Sequence, residues 1–410
     1  MTQYDIKEKI TTYIDALSCI GANDEGGITR LLYTPEWKAT QEEVLTIMKG
    51  IGMEADYDEV GNLFGRFEGE MVPEETILIG SHIDTVKNGG KYDGQFGIVA
   101  GIIAAEYLKQ TEGSPRRSIE VVSIAEEEGS RFPYTFWGVK NILGLAARGD
   151  VQDIEDSQGT KFVDAMRAAG FDFSQKGKKL RKDIRQFIEI HIEQGSVLEK
   201  EGKSIGVVTA IVGQRRYNVE VTGQSNHAGS TPMSYRKDAV YVTSKMISKI
   251  IDAAKSYGDP LVATVGNIEV SPNIVNVIAG KVKFTIDIRH TDQNTLCKFT
   301  ELVENELAKL AKEHAVQLNV EMYMDEKPVQ MCKELVSSIK NICKERELKY
   351  KVMHSGAGHD SQLMAQYVPT AMLFVPSVDG ISHNPLEYTS LEDLAVGVEA
   401  LIHILKKLAY

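Results

Sequence analysis

Thr76-Ile77-Leu78-Ile79-Gly80-Ser81-His82-Ile83-Asp84 is the stretch on which the fold turns. Its first four residues form a short apolar run that reads as a strand, and the strand ends on Gly80-Ser81-His82. A residue type that binds metals therefore stands where the chain leaves the sheet. Two further runs repeat the pattern. Ile119 to Ala125 leads directly into Glu126-Glu127-Glu128, and Phe187-Ile188-Glu189-Ile190 leads into His191. Gly97 to Leu108 reads as a buried helix between the first two, while Ile6, Ile10, Tyr13, Ile14 and Leu17 fall at helical spacing ahead of them. Strands alternating with helices predict an α/β domain with a largely parallel sheet.

The pattern changes after about residue 210. Arg216 to Val221, Leu261 to Val270, Val282 to Ile288 and Val316 to Met322 alternate as strands, with helical spacing over Lys237 to Ala254 and Thr295 to His314. The order β-α-β-β-α-β is that of a ferredoxin-like α+β unit, which places a separate small domain at 213–329. Helix, strand and helix resume from Lys333, and Leu391 to Leu408 closes the chain as an amphipathic helix. The expected architecture is an α/β domain of residues 1–212 plus 330–410 with the small domain inserted into it.

Composition limits the partners. The 410 residues carry 46 Lys+Arg against 58 Asp+Glu, a net charge of −12. That length suggests two to three domains. No basic patch stands out from the acidic background, which argues against nucleic acid or an anionic membrane as partner. No apolar run approaches the roughly 20 residues needed to span a bilayer, and the N-terminal MTQYDIKEKI lacks the apolar core of a signal peptide. A cytoplasmic enzyme is expected. Cys19, Cys297, Cys332 and Cys343 are far apart with no C-x-x-C pair, so reduced, buried thiols are expected. No phosphate-binding glycine motif follows a strand, which removes a nucleotide site.

The acids and histidines at the strand ends carry the chemistry. In open α/β sheets ligands gather outside the carboxyl ends of strands, where His82, Glu127, Glu128 and His191 are expected. Taken singly each has an ordinary explanation: a strand histidine packs, and a run of glutamates is a solvated face. Together with Asp93, on a glycine-flanked turn, and His383, in Ser382-His383-Asn384-Pro385, they form a ligand set suited to Zn²⁺ or Mn²⁺. Asp93 can bridge two ions about 3.5–4 Å apart. Adjacent glutamates suggest divided labour, one binding metal and one taking a proton from water.

The set His82-x-Asp84, Asp93, Glu127-Glu128, His191 and His383 resembles the dinuclear-metal M20-type family, in the amidohydrolase branch that acts on N-carbamoyl-L-amino acids, β-ureidopropionate and allantoate. The resemblance covers essentially the whole chain, through Gly26-Gly27-Ile28-Thr29-Arg30, His191-Ile192-Glu193-Gln194-Gly195, Asn226-His227-Ala228-Gly229 and Gly358-His359-Asp360. It implies two divalent ions per subunit, Mn²⁺ or Zn²⁺. Asp93 would bridge them, His82 and His191 would complete one, and Glu128 and His383 the other. Glu127 would be the general base and then the proton donor, with Asp84 orienting His82 through its far ring nitrogen.

The resemblance also gives the inserted domain the roles of lid and homodimer contact. Arg289 would grip the substrate carboxylate bidentately, Asn276 would offer an amide, and His227 would polarise the scissile carbonyl from across the dimer interface. Leu31-Leu32-Tyr33-Thr34-Pro35-Glu36-Trp37, Phe132-Pro133-Tyr134, Phe136-Trp137-Gly138 and Gly213-Gln214-Arg215-Arg216-Tyr217 are most similar to the allantoate-hydrolysing members. Arg216 is the expected donor to the polar distal half of allantoate. The implied products are ureidoglycine, ammonia and CO₂. The alternative is hydrolysis of N-carbamoyl-L-amino acids or β-ureidopropionate.

Overall fold

The computed structural model describes residues 5–173 and 181–410. The N-terminal reading above falls partly on residues 1–4, which lie outside the described residues. The chain divides into two compact units, Met1–Thr209 with Met331–Tyr410, and Ala210–Gln330.

The sheet of the first unit runs, in spatial order, Glu54–Tyr57, Leu63–Phe67, Arg117–Ile124, Val72–His82, Ile184–Ile192, Thr370–Val375 and Ile205–Ile211, with Tyr350–Ser355 also paired to the last of these. The four central strands, Arg117–Ile124, Val72–His82, Ile184–Ile192 and Thr370–Val375, are mutually parallel. The flanking pairs are antiparallel. The expected parallel sheet is thus the centre of a mixed one. Its central strands are almost continuously buried, as strands covered on both faces must be. The helix Gln95–Glu112 is buried along most of its length and packs on the central strands and on the terminal helix Leu391–Ala409.

Register delivers the site. His82 pairs with Ile124 at the carboxyl end of two neighbouring strands, and His191 is opposite Phe374 near the end of the next pair. Because the strands are parallel, their ligand-bearing ends all emerge on one edge.

The second unit is a sheet in the order Ile268–Ser271, Lys281–His290, Gly213–Thr222, Gln317–Glu326, all antiparallel, with Val262–Thr264 also on Lys281–His290. Numbered along the chain this is the 2-3-1-4 order of a ferredoxin-like unit. Helices Ala239–Tyr257 and Gln293–Glu313 begin at Asp238 and Asp292, whose side chains accept N–H groups of the first turn. Alternation puts Tyr217, Val219 and Val221 with Phe284, Ile286 and Ile288 against Met246, Ile250, Phe299 and Leu307. Each such side chain contributes about 1.5–3 kcal/mol on burial.

Several details depart from the sequence reading, among them a second strand after Lys333, Thr370–Val375, where helix, strand and helix were expected. The antiparallel hairpin Glu54–Phe67 was not foreseen, because its half-buried alternation is short. The expected strand Leu261–Val270 is two strands, Val262–Thr264 and Ile268–Ser271, interrupted at Val265, Gly266 and Asn267. All four cysteines are free, but only Cys343 is buried; Cys19 is exposed. Among the described residues no helix is long and apolar enough to cross a membrane.

Candidate metal centre

Seven of the residues singled out above meet in the first unit. Asp93 lies at the middle. Its Oδ1 is 3.5 Å from His82 Nε2 and 3.1 Å from His191 Nε2, while its Oδ2 is 3.1 Å from His383 Nε2. Glu128 Oε1 is 3.3 Å from the same nitrogen of His383. Three overlapping groups have ligand atoms close enough to share an ion: His82, Asp93 and His191; Asp93, Glu128 and His383; and His82, Glu127 and Glu128. One carboxylate thus faces imidazoles with both of its oxygens, the arrangement a bridging ligand requires.

The donor set passes a direct chemical test. His191 Nδ1 lies 2.9 Å from the Ile192 carbonyl oxygen, which keeps the ring proton on that nitrogen. Its Nε2 then presents a lone pair, which accepts the Gly94 N–H at 3.1 Å. The lone pair also faces Asp93 Oδ1. Two electron-rich atoms held together in a buried site call for a cation between them. His82 is oriented the same way, with Nδ1 3.1 Å from the Asp84 carbonyl oxygen and 3.4 Å from Asp84 Oδ1. Neutral imidazoles, carboxylates and a fixed outer layer fit Zn²⁺ or Mn²⁺.

Titration follows from the same geometry. Burial alone would lower the pKa of His82, but the Asp84 and Asp93 carboxylates outweigh it and raise it well above the imidazole range. Burial likewise opposes, and Asp93 prevails, at His191. His383, beside Asp93 and Glu128, is raised to about 10. Asp93 is driven well below its usual range: burial opposes this, and His191, His383 and His82 overcome it. Burial, reinforced by Glu128, holds Glu127 well above the carboxylate range. The site attracts positive charge from every side.

The three glutamates divide unequally. Glu126 is turned inward, where it accepts the Gly129 N–H and, at 3.1 Å, the Trp137 N–H. It is a turn-forming acid, and burial pushes its pKa up. Glu127 and Glu128 are half-buried and face the imidazoles.

Several residues of the site had no role in the sequence reading. Gln194 Nε2 donates to Asp93 Oδ2 at 2.9 Å. Glu387 accepts from the backbone of Tyr92 and Asp93. Glu189 accepts from Ser81 Oγ at 2.8 Å and from Ser361 N and Oγ at 2.9 and 2.6 Å, tying two ligand-bearing strands to the turn after Asp360. His359 packs edge-on to His191 with ring centroids 4.6 Å apart. The signal for Gln194 and Glu387 was adjacency: each lies three or four residues from a ligand histidine, in the runs His191-Ile192-Glu193-Gln194 and His383-Asn384-Pro385-Leu386-Glu387.

In the second unit Arg216 and Arg289 converge on Asp287. Arg216 Nε donates to Asp287 Oδ2 at 2.9 Å, and Arg289 Nε to Oδ1 at 2.9 Å. Gln214 Nε2 donates to the same carboxylate at 2.5 Å. Arg216 lies inside the strand Gly213–Thr222, whereas the sequence pattern predicts the strand to begin there. His227 and Asn276 belong to a separate small ribbon, in which Val277 is opposite His227 and the Ala228 N–H donates to the Asn276 carbonyl at 2.9 Å. Both side chains are exposed.

The chain is similar over its whole length to known amidohydrolases. An allantoate amidohydrolase of Escherichia coli (strain K12) is 52% identical over 404 residues, 98% of each chain. One of Bacillus subtilis (strain 168) is 44% identical, covering 99% of this chain and 98% of that one. The crystal structure of an amidase of the hydantoinase/carbamoylase family from Burkholderia multivorans superposes with a TM-score of 0.93 at 32% identity, covering 98% of both chains. Residues 78–407 match the model of peptidase family M20/M25/M40, and the chain belongs to that family.

Proposed function

We propose that this chain is a metal-dependent amidohydrolase that hydrolyses a ureido C–N bond of allantoate, giving ureidoglycine, ammonia and CO₂. The observation that carries the reading is full-length identity of 52% to an allantoate amidohydrolase, joined to a buried carboxylate ringed by three imidazoles. Two divalent ions, Mn²⁺ or Zn²⁺, would supply Lewis acidity and acidify water at the site. His82, Asp93 and His191 would hold one, Asp93, Glu128 and His383 the other. Glu127 takes the proton of the attacking water and returns it to the departing nitrogen, so that ammonia leaves and the carbamate loses CO₂. Asp84 keeps His82 in the tautomer that turns Nε2 inward.

In this reading residues 1–212 plus 330–410 are the catalytic domain, and 213–329 the lid and the homodimer contact of a cytoplasmic enzyme. Arg289 and Asn276 bind the substrate's carboxylate end, Arg216 its second ureido arm, and His227 polarises the carbonyl oxygen. The structural likeness to a hydantoinase/carbamoylase-family amidase supports N-carbamoyl-L-amino acids as the second substrate class. The test is metal-stripped protein reconstituted separately with Mn²⁺ and Zn²⁺, assayed for ammonia release from allantoate and several N-carbamoyl amino acids. Allantoate is expected to turn over fastest; faster release from the carbamoyl compounds reverses the assignment.

A further inference from the structure

Glu387 is 4% exposed and belongs to none of the ligand groups, yet it joins two loops that do. Its Oε1 accepts the backbone N–H groups of Tyr92 and Asp93 at 2.8 and 3.1 Å. Its Oε2 accepts the Ser382 hydroxyl at 2.8 Å, and the same hydroxyl is 3.2 Å from Asp93 Oδ2. One side chain therefore grips the backbone of the central carboxylate and the residue next to His383. The fit is close: a Cβ on Gly90 would overlap the Glu387 carboxyl, so the loop before Asp93 is shaped around it.

The ligands differ in how the fold secures them. His82 and His191 lie in strands with sheet partners on both sides. His383 lies in a loop, with left-handed backbone (φ 54°) and about half of its side chain exposed. A non-glycine residue holds that conformation only when its surroundings impose it. We propose that Glu387 is a positioning residue that fixes His383 against Asp93, and so sets the affinity of the Asp93–Glu128–His383 group for its ion while leaving the His82–Asp93–His191 group to the strands. This rests on the two-ion reading above.

The mechanism is geometric, so it makes a selective forecast. Glu387→Ala frees the Ser382 loop from the Asp93 loop, and His383 with it. In Glu387→Gln the amide oxygen still accepts from Tyr92 and Asp93, while the amide N–H can donate to Ser382 Oγ, whose own proton then goes to Asp93. Outer-layer partners of metal ligands typically govern 10–100-fold in affinity.

The experiment is calorimetric titration of the full-length, metal-stripped protein with MnCl₂ and, separately, ZnCl₂. Wild type should show two binding events. Glu387→Ala should weaken one of them at least about 10-fold and leave the other within about threefold, and Glu387→Gln should keep both within about threefold. Equal weakening of both events in Glu387→Ala, no weakening of either, or a Gln variant as impaired as Ala each overturns the proposal. Two events in wild type with no selective loss removes the role of Glu387 alone; fewer than two in wild type removes the two-ion reading as well. If Glu387→Ala does not fold, Ser382→Ala cuts the same link with the acid in place. It should weaken the same event by about 3–10-fold, and an unchanged pair of affinities there overturns the proposal.

Discussion

Asp84 Oδ1 accepts the backbone N–H of Glu127 at 3.0 Å, and its other oxygen takes that of Glu128 at 3.2 Å. The same Oδ1 stands 3.4 Å from His82 Nδ1. One buried carboxylate therefore orients an imidazole and aims the turn that carries Glu127 and Glu128. Removing it should be costly without touching a ligand. Asp84→Ala is expected to lose about 10–100-fold in metal affinity or kcat/KM. Asp84→Asn should also lose, since an amide nitrogen cannot accept an N–H. Metal content beside kcat/KM checks this, with circular dichroism as the folding control, and a wild-type Asn variant would contradict it.

In the proposed function Glu127 transfers the proton and Glu128 holds metal, so their amides should differ in kind. Glu127→Gln is expected to lower kcat by about 10²–10⁴-fold, the usual worth of a general base, with the metal content of wild type. Glu128→Gln should lower metal content itself. Parallel metal analysis and ammonia assays separate the two, and appreciable turnover in metal-replete Glu127→Gln refutes its role.

Protons and metal ions compete for the same imidazoles. His82, His191 and His383 all have raised pKa values, His383 to about 10. Metal affinity should therefore rise with pH, and keep rising beyond the ordinary imidazole value of 6.5 toward about 10, with protons released on binding. Calorimetry in buffers of different ionisation enthalpy measures that release. The metal-free protein should behave oppositely. A raised histidine pKa stabilises the fold fully below 6.5, and that contribution is lost as pH climbs through the folded value. The thermal midpoint of the metal-free protein should accordingly fall between pH 6.5 and about 10, and a flat profile would refute this.

Why some of this was legible in the sequence and some was not is a matter of range. Short, largely apolar runs leading into His82, Glu126–Glu128 and His191 announce parallel strands and their ligand edge together, because strand direction fixes both. The order of the inserted unit follows from strict alternation, as in Val219 and Val221 against Asn218 and Glu220. The hairpin Glu54–Phe67 lacks a long apolar run, so nothing local marks it. Glu189 is silent for another reason: its partners lie 108 or more residues away, and a lone glutamate in a sequence looks like surface. Asp287 was hidden between two residues that drew attention to themselves, Arg216 across the register and Arg289 two along the strand.

Gly80 offers a test of the frame that holds the edge. It has φ 149°, and a Cβ there would overlap the Val122 carbonyl oxygen of the neighbouring strand. Backbone cannot move aside as a flexible side chain can. Gly80→Ala should cost about 2–4 kcal/mol of stability, by strain and separation of the central strands. Denaturant melts measure it, and a loss under about 0.5 kcal/mol would show that the strands yield.

Substrate choice is the remaining question, and Asp287 gives a way into it. Gln214, Arg216 and Arg289 all donate to its carboxylate. Burial opposes its ionisation, but Arg289 and Arg216 prevail and hold its pKa below the usual range. Charge-assisted hydrogen bonds are typically worth about 1.5–3 kcal/mol. If Arg216 binds the second ureido arm, Arg216→Met should lower kcat/KM for allantoate by about 10–100-fold and change that for an N-carbamoyl amino acid with an apolar side chain far less. Asp287→Asn, which leaves both arginines in place but removes the charge they share, should raise KM for either substrate more than it lowers kcat. Steady-state kinetics on the two substrates with the two variants decides it. An Arg216→Met enzyme that loses both activities in proportion would show that this arginine supports the strand pair and does not choose the substrate.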